Sequence, residues 1–300
     1  MSLLFQLLSI LGFSFGNSLW HKPVQKLPVT LIIASKSLVT TLLFLIAIII
    51  TYKSSLLNDY GITKSTTELK LIDILYGVGI CAISYWGLYF FNQSLKHTKS
   101  GITITISGAG TIIGFLTAIF IYNEKLSFIN ILSSIIGTFG LWCLEKLNPA
   151  FFKLKFTKGM LFGLLSMLFW RIGGLFPLVI NKIGVLQFSL VLEFTVFTIS
   201  AAMFLLSKKK REVHFDNVKP FIIIILLIAL SNFCGILGNH MALKFTSFVN
   251  YTILGFLAPI VTFTISILYY KEKYSLIQYI GFTIMIFGGI GLNYINTIFK

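Results

Sequence analysis

Three charged side chains interrupt otherwise apolar stretches of this sequence: Lys36, Arg171 and Glu193. A charge in hydrocarbon is costly and turns toward protein or water, so each marks either a structural pair or a polar pathway. Arg171 precedes a turn near Ile183 by twelve residues, and Glu193 follows it by ten. At 1.5 Å rise per residue both lie at similar depth, roughly 15–18 Å from the turn. The spacing allows an Arg171–Glu193 ion pair. Such a pair either fastens a helical hairpin or acts as a substrate clamp or protonatable coupling site. Glu193 is the only carboxylate well inside an apolar run, which makes it the coupling candidate if protons drive the process. Lys36 has no carboxylate at similar depth in its own half. It either snorkels to the nearer interface and bonds helix carbonyls, or meets a substrate carboxylate or Glu193.

Amides and aromatics supply the next set. Tyr85, Tyr89 and Asn92 follow an i, i+4, i+7 spacing, which is one helix face. Asn232, Asn239 and His240 lie in a later apolar run, Asn17 and Trp20 in the first, and Trp170 beside Arg171. Amides in hydrocarbon need partners and so face the bundle. There they either bond between helices or line a cavity. Trp20 and several tyrosines lie near run ends, where they also fit interfacial anchors.

No catalytic set is visible. Walker and HExxH spacings are absent, no Ser/His/Asp arrangement stands out, and nine acidic residues leave little for a two-metal or glycosidase site. Cys81, Cys143 and Cys234 stand alone in apolar runs and behave as small hydrophobes. The expectation is a non-enzyme with no metal and no cofactor.

The elements that position these residues follow from composition. Of 300 residues, 56% are hydrophobic and 11% charged, with a mean hydropathy of +0.92. A soluble globule, a disordered chain and a disulfide-stapled domain are excluded, because the polar surface is too small to coat a water-facing fold. Ten apolar segments have the length of a spanning helix. They cover about 3–20, 28–51, 71–94, 100–121, 128–147, 159–180, 186–206, 219–241, 247–269 and 276–298. They lack the alternation of barrel strands, so the fold class is an all-α polytopic membrane protein. The first segment has no basic flank and no small-residue cleavage site, which fits a retained helix better than a signal peptide. The net charge of +15 sits in loops between runs and is read as topology bias and contact with anionic lipid, not as a nucleic-acid surface. Loop cations weakly favour termini on the outside.

Residues 94–144 and 242–292 align without a gap at an offset of 148, with fifteen of 51 positions identical. The shared pattern Y-x-E-K-x-S places Tyr122, Glu124, Lys125 and Ser127 opposite Tyr270, Glu272, Lys273 and Ser275. Two five-helix halves follow. Because five is odd, the second half enters the membrane in the opposite sense, and substrate is expected at the interface between halves. Glu124 and Glu272 each precede by three residues a serine that opens the next span. The expected arrangement has the serine capping that helix and the carboxylate pinning the tight turn.

These residues make the chain resemble the drug/metabolite transporter superfamily, in its EamA-like ten-helix branch. Leu95-Lys96, Glu124 to Ser127, Gly137 and Gly140 carry the resemblance in the first half. Leu243-Lys244, Pro259, Glu272 to Ser275, Gly281 and Gly288 carry it in the second. The family pattern and the repeat have proline where Thr111 stands, so Gly108 and Gly110 are expected to supply the bend that Pro259 makes in the other half. Lys36 stands where the family usually has arginine and cannot make the same forked contacts. The resemblance implies two inverted repeats, 1–147 and 159–300, joined by 148–158. It also implies a secondary transporter, with export the favoured direction. Amino acids or similar small metabolites head the substrate classes. A membrane-embedded enzyme, a lipid-handling protein and a non-transporting scaffold are the alternatives. Expected partners are membrane lipid, a small-molecule substrate and protons, in a monomer or homodimer of the plasma (inner) membrane.

Overall fold

The computed structural model describes residues 2–51, 59–65, 68–97, 111–144, 157–208, 213, 215–255, 257–271 and 275–287. Gly108, Gly110 and Glu272 lie outside them, as does the connecting segment 148–156. The described residues are helical and contain no strand. In lipid every backbone N–H and C=O must be satisfied within the segment, and a helix does this residue by residue.

The first half of the chain forms α1 (Ser2–Leu19), α2 (His21–Lys26), α3 (Val29–Thr51), α4 (Leu71–His97), α5 (Thr111–Tyr122) and α6 (Phe128–Leu144). The second forms α7 (Lys158–Trp170), α8 (Phe176–Ile183), α9 (Val185–Leu206), α10 (Phe215–Val218), α11 (Ile222–Phe245), α12 (Phe248–Leu254), α13 (Leu257–Tyr270) and α14 (Leu276–Ile284). Among the described residues, six helical runs are long and apolar enough to cross a membrane. These are Leu3–Lys26, Val29–Thr51, Leu71–His97, Lys158–Ile183, Val185–Leu206 and Phe215–Phe245. Within the other four sequence-derived segments the described helices are shorter: α5, α6, α12 with α13, and α14. Their outward faces stay apolar: Phe120 of α5 and Phe128 of α6 are each 77% exposed, as expected of lipid-facing side chains.

Helices of the first half pack on helices of the second. α1 lies along α11, α3 along α9, α4 along α7, and α6 along α14, while α5 meets α12. α1 also meets α13, and α5 meets the segment Arg171–Leu175. Close approach of α1 and α11 depends on glycine. A Cβ on Gly12 would fall 2.6 Å from Gly235 N, and one on Gly238 would fall 2.6 Å from Phe5 O. Association in lipid relies on such van der Waals contact, because tails are as apolar as leucine.

Two features interrupt the regular helices. Between α7 and α8 the chain tightens into a 3-10 turn over Arg171–Leu175, where Gly173 and Gly174 remove helix preference and Pro177 opens α8. Between α12 and α13 the N–H of Gly255 falls back on Tyr251 O and Thr252 O, and a new helix starts at Leu257. Pro259 lies in the first turn of that new helix, where a proline is tolerated. Turns at the two Y-x-E-K-x-S copies match: Asn123 and Lys271, which are equivalent at the repeat offset, both adopt φ of 52°. Ser127 caps α6 by accepting from Asn130 N, and Ser275 forms a capping box with Gln278.

Candidate functional site

The buried ion pair of this bundle joins α3 to α9. Lys36 Nζ lies 2.8 Å from Glu193 Oε1 and 2.9 Å from Oε2. Both side chains are almost wholly enclosed, Lys36 at 1% and Glu193 at 3% exposure. The uninterrupted helices α3 and α9 lie side by side and bring the two residues to one level. This corrects the expected Arg171–Glu193 hairpin pair. Hairpin arithmetic fixes depth but not azimuth, and both oxygens of Glu193 face α3. Snorkelling of Lys36 is excluded by the same burial.

A cavity of about 340 Å³ opens beside this pair. Its wall is drawn from α1, α3, α4 and α5 of the first half and from α7, α8, α9, α11, α12, α13 and the Arg171–Leu175 turn of the second. A volume of this order suits a small organic ligand. Nine of the twelve sequence-derived cavity residues line it. Lys36, Arg171 and Glu193 are the charged ones; Asn17, Asn232, Asn239 and His240 are polar; Tyr85 and Trp170 are aromatic. Arg171 occupies the first position of the 3-10 turn and has Tyr251 as an electrostatic neighbour.

The polar groups are anchored on their own scaffold. Tyr251 donates its hydroxyl to Asn239 Oδ1 at 2.6 Å, and Gln6 Nε2 donates to Tyr251 O at 2.6 Å. His240 Nδ1 lies 2.7 Å from Ser189 Oγ, with its ring against Phe176 and Phe188. Asn232 donates back to Ile228 O at 2.8 Å, and Tyr85 points its hydroxyl at Met203 S at 3.2 Å.

Three expected residues do not reach the cavity. Trp20 is fully buried in the apolar cluster with Tyr85 and Phe91, so it is neither cavity wall nor interfacial anchor. Asn92 is fully buried and donates to Leu88 O at 2.9 Å. Tyr89 packs among Tyr85, Trp86 and Phe90. The cavity follows the neighbouring stripe of α4, Ser84, Leu88 and Phe91, at the same i, i+4, i+7 spacing, so the expected face is turned away by one residue. Sequence reasoning missed Gln6 and Tyr251. Gln6 was detectable as an amide inside an apolar run; Tyr251 carried no signal, because its position depends on the break after α12.

Glu124 is also corrected. Its carboxylate accepts from Phe248 N at 2.7 Å and Val249 N at 2.8 Å. It therefore caps α12 of the other half instead of pinning its own turn. Tyr122 supports this contact by stacking on Phe248 at 5.1 Å and donating its hydroxyl to Gly174 O at 2.5 Å.

Apolar helices of spanning length arranged around a polar cavity make this a multi-pass integral membrane protein. Residues 157–294 match the model of the EamA-like transporter family, so the second half of the chain carries that family's pattern and the drug/metabolite transporter resemblance stands. A protein of known crystal structure matches over 98% of this chain and 97% of its own, at 14% identity and a TM-score of 0.72. At that identity the likeness concerns the fold. No curated protein sequence matches the chain.

Proposed function

We propose that this chain is a ten-helix secondary transporter built of two inverted five-helix repeats, 1–147 and 159–300, joined by 148–158. It moves small organic metabolites such as amino acids across the plasma membrane by alternating access, in the export direction. The observation that carries this reading is the cavity, which has charged, amide and aromatic groups on a wall contributed by both halves. An enzyme would need a reacting cluster there. A scaffold has no use for an open polar interior.

Two further features support duplication. The helix pairings map onto themselves when the halves are exchanged: α1 on α11 corresponds to α4 on α7, and α1 on α13 corresponds to α5 on the Arg171–Leu175 turn. The matched φ of Asn123 and Lys271 repeats the same turn. Two such halves can trade conformations, which turns an outward cavity into an inward one.

Glu193 is the coupling residue in this reading. A proton arriving on its carboxylate weakens the contact to Lys36 and frees α3 from α9. The test is extracellular metabolite profiling of cells expressing the wild type, Lys36→Ala/Glu193→Gln, or no transporter. A solute enriched outside wild-type cells alone supports export. Equal profiles under several nutrient loads, with folded protein in the membrane, overturn it. Glu193→Gln alone should remove sensitivity to a protonophore; transport that stays equally sensitive sinks the coupling role.

A further inference from the structure

We propose that a second, smaller pocket at one end of the bundle holds the phosphate headgroup of an anionic phospholipid, with Lys26 and Lys96 as its cationic contacts. This goes beyond the transport reading and does not depend on it. The pocket encloses about 210 Å³ and shares no described lining residue with the central cavity. Residues Gln25 to Pro28, where α2 passes into α3, form one side. Lys96 in the last turn of α4 forms another, and Val213 and Asn217, before and within α10, form the third. The corner is fixed by its own contacts. Gln25 Nε2 donates to Leu95 O at 2.9 Å, which ties α2 to α4 beside Lys96. Val24, Leu27 and Leu95 share one apolar cluster, against which Val218 and Phe221 pack, so the end of α10 is held at the same corner.

Two ammonium groups and two amides thus line one small space, and none of the described lining residues carries a negative charge. Lys96 is already engaged within the protein. An ammonium has three donors, so it can hold that contact and a phosphate oxygen together. Lys22, Lys158, Lys208 and Lys219 fall at the same end of the bundle, where Asp216 stands beside Asn217. The run Lys208-Lys209-Lys210-Arg211 starts there too, and Glu212 after it lies outside the described residues. Cations outnumber carboxylates, so the field at this end favours an anion. Location decides between a lipid and a dissolved phosphate. Pro28 in the wall leads directly into the 23-residue apolar helix α3, so the pocket lies where hydrocarbon gives way to water, the level of lipid phosphates. Leu27, Pro28 and Val213 offer carbon to the glycerol portion. Basic pockets between spanning helices take lipid headgroups on the cytoplasmic side, where the loop charges place this end.

Three probes separate the possibilities: phosphatidylglycerol, phosphatidylcholine and soluble glycerol 3-phosphate. Each is titrated onto the full chain in neutral detergent at physiological salt, and bound copies are counted by native mass spectrometry. Phosphatidylglycerol should bind saturably, about tenfold or more tighter than phosphatidylcholine, and should resist displacement by glycerol 3-phosphate. Lys26→Gln/Lys96→Gln should weaken it about tenfold or more. Lys158→Gln/Lys208→Gln removes the same charge at this end but outside the pocket, and should change the affinity by less than about threefold. Asn217→Glu keeps both lysines and adds a carboxylate to the wall at an exposed position, so it should weaken binding as the pocket lysine variant does. Its exposure makes it the deciding variant if Lys26→Gln/Lys96→Gln does not fold. A dichroism spectrum and unfolding midpoint like those of the wild type establish folding. Equal losses in the two lysine variants would mean a diffuse surface field and overturn the site. Equal affinity for phosphatidylcholine, displacement by glycerol 3-phosphate, or binding unchanged in a folded pocket variant overturns it as well.

Discussion

Among the contacts that tie the first half of the chain to the second, two are built differently. Lys36 and Glu193 meet side chain to side chain, on two uninterrupted helices of 23 and 22 residues, in full burial. Glu124 reaches from the end of a short helix to the backbone N–H groups of the seven-residue α12, next to the break at Gly255. The first contact joins long rods along their length. The second joins two ends, both beside turns. The continuous helices carry the first contact, whereas α12 and the Arg171–Leu175 turn, which both line the cavity and lie against each other with Phe248 beside Gly174, carry the helix breaks. Helix breaks of this kind are tolerated at membrane depth where they line a cavity, so their location fits the site.

The largest effect is expected at the buried pair. Lys36→Ala leaves Glu193 buried without its counter-charge and should cost about 3–5 kcal/mol. The measurement is the unfolding midpoint in detergent. The apolar double variant Lys36→Met/Glu193→Leu removes both charges and should recover most of that loss while abolishing transport. If Lys36→Ala is as stable as wild type, the pair is not the rigid junction and the comparison fails.

Glu124→Ala should act more locally. It strips α12 of acceptors for Phe248 N and Val249 N, at a cost of about 1–3 kcal/mol. Faster hydrogen exchange is expected in α12 and little change in α3 or α9. Uniform loosening of the whole bundle would show that the two contacts are one cooperative unit and not a rod and an end.

Much of this contrast was legible from residues alone, and what was not has a physical cause. The long helices were readable because hydropathy over about 20 residues is a direct signature of the bilayer. The repeat was readable because Glu124 and Glu272 recur with their neighbours at a fixed offset. Choosing Lys36, not Arg171, as partner of Glu193 required knowing which helix lies against α9. Cross-half packing sets that azimuth, and no spacing within one hairpin contains it. Glu124 misled for the same reason: Ser127 does cap the following helix, but the carboxylate three residues earlier serves a helix 124 residues away. Local motifs predict local hydrogen bonds, and packing between the two halves of the chain places non-local partners beside them.

A smaller effect sharpens the reading of that motif. Ser127→Ala removes the cap of α6 and should cost about 1 kcal/mol, within the usual range for such caps. Because Ser127 and Glu124 serve different helices, their effects should add. Unfolding midpoints of the two single variants and the double variant test this. A strong departure from additivity would mean that the turn is a single network linking α6 to α12.

The smallest effect is expected at the periphery. Lys182 Nζ lies 3.0 Å from Asp73 Oδ1, bridging the end of α8 to the start of α4, with the lysine side chain 56% exposed. It joins the two halves as the buried pair does, and a contact map alone would rank them together. Burial separates them. In water the pair gains little Coulomb energy and loses side-chain freedom, so Lys182→Ala should shift stability by under about 1 kcal/mol, less at high salt. A loss close to that of Lys36→Ala would mean that linkage between halves, and not burial of charge, sets the cost. The distinction between the buried rod contact and its surroundings would then have to be abandoned.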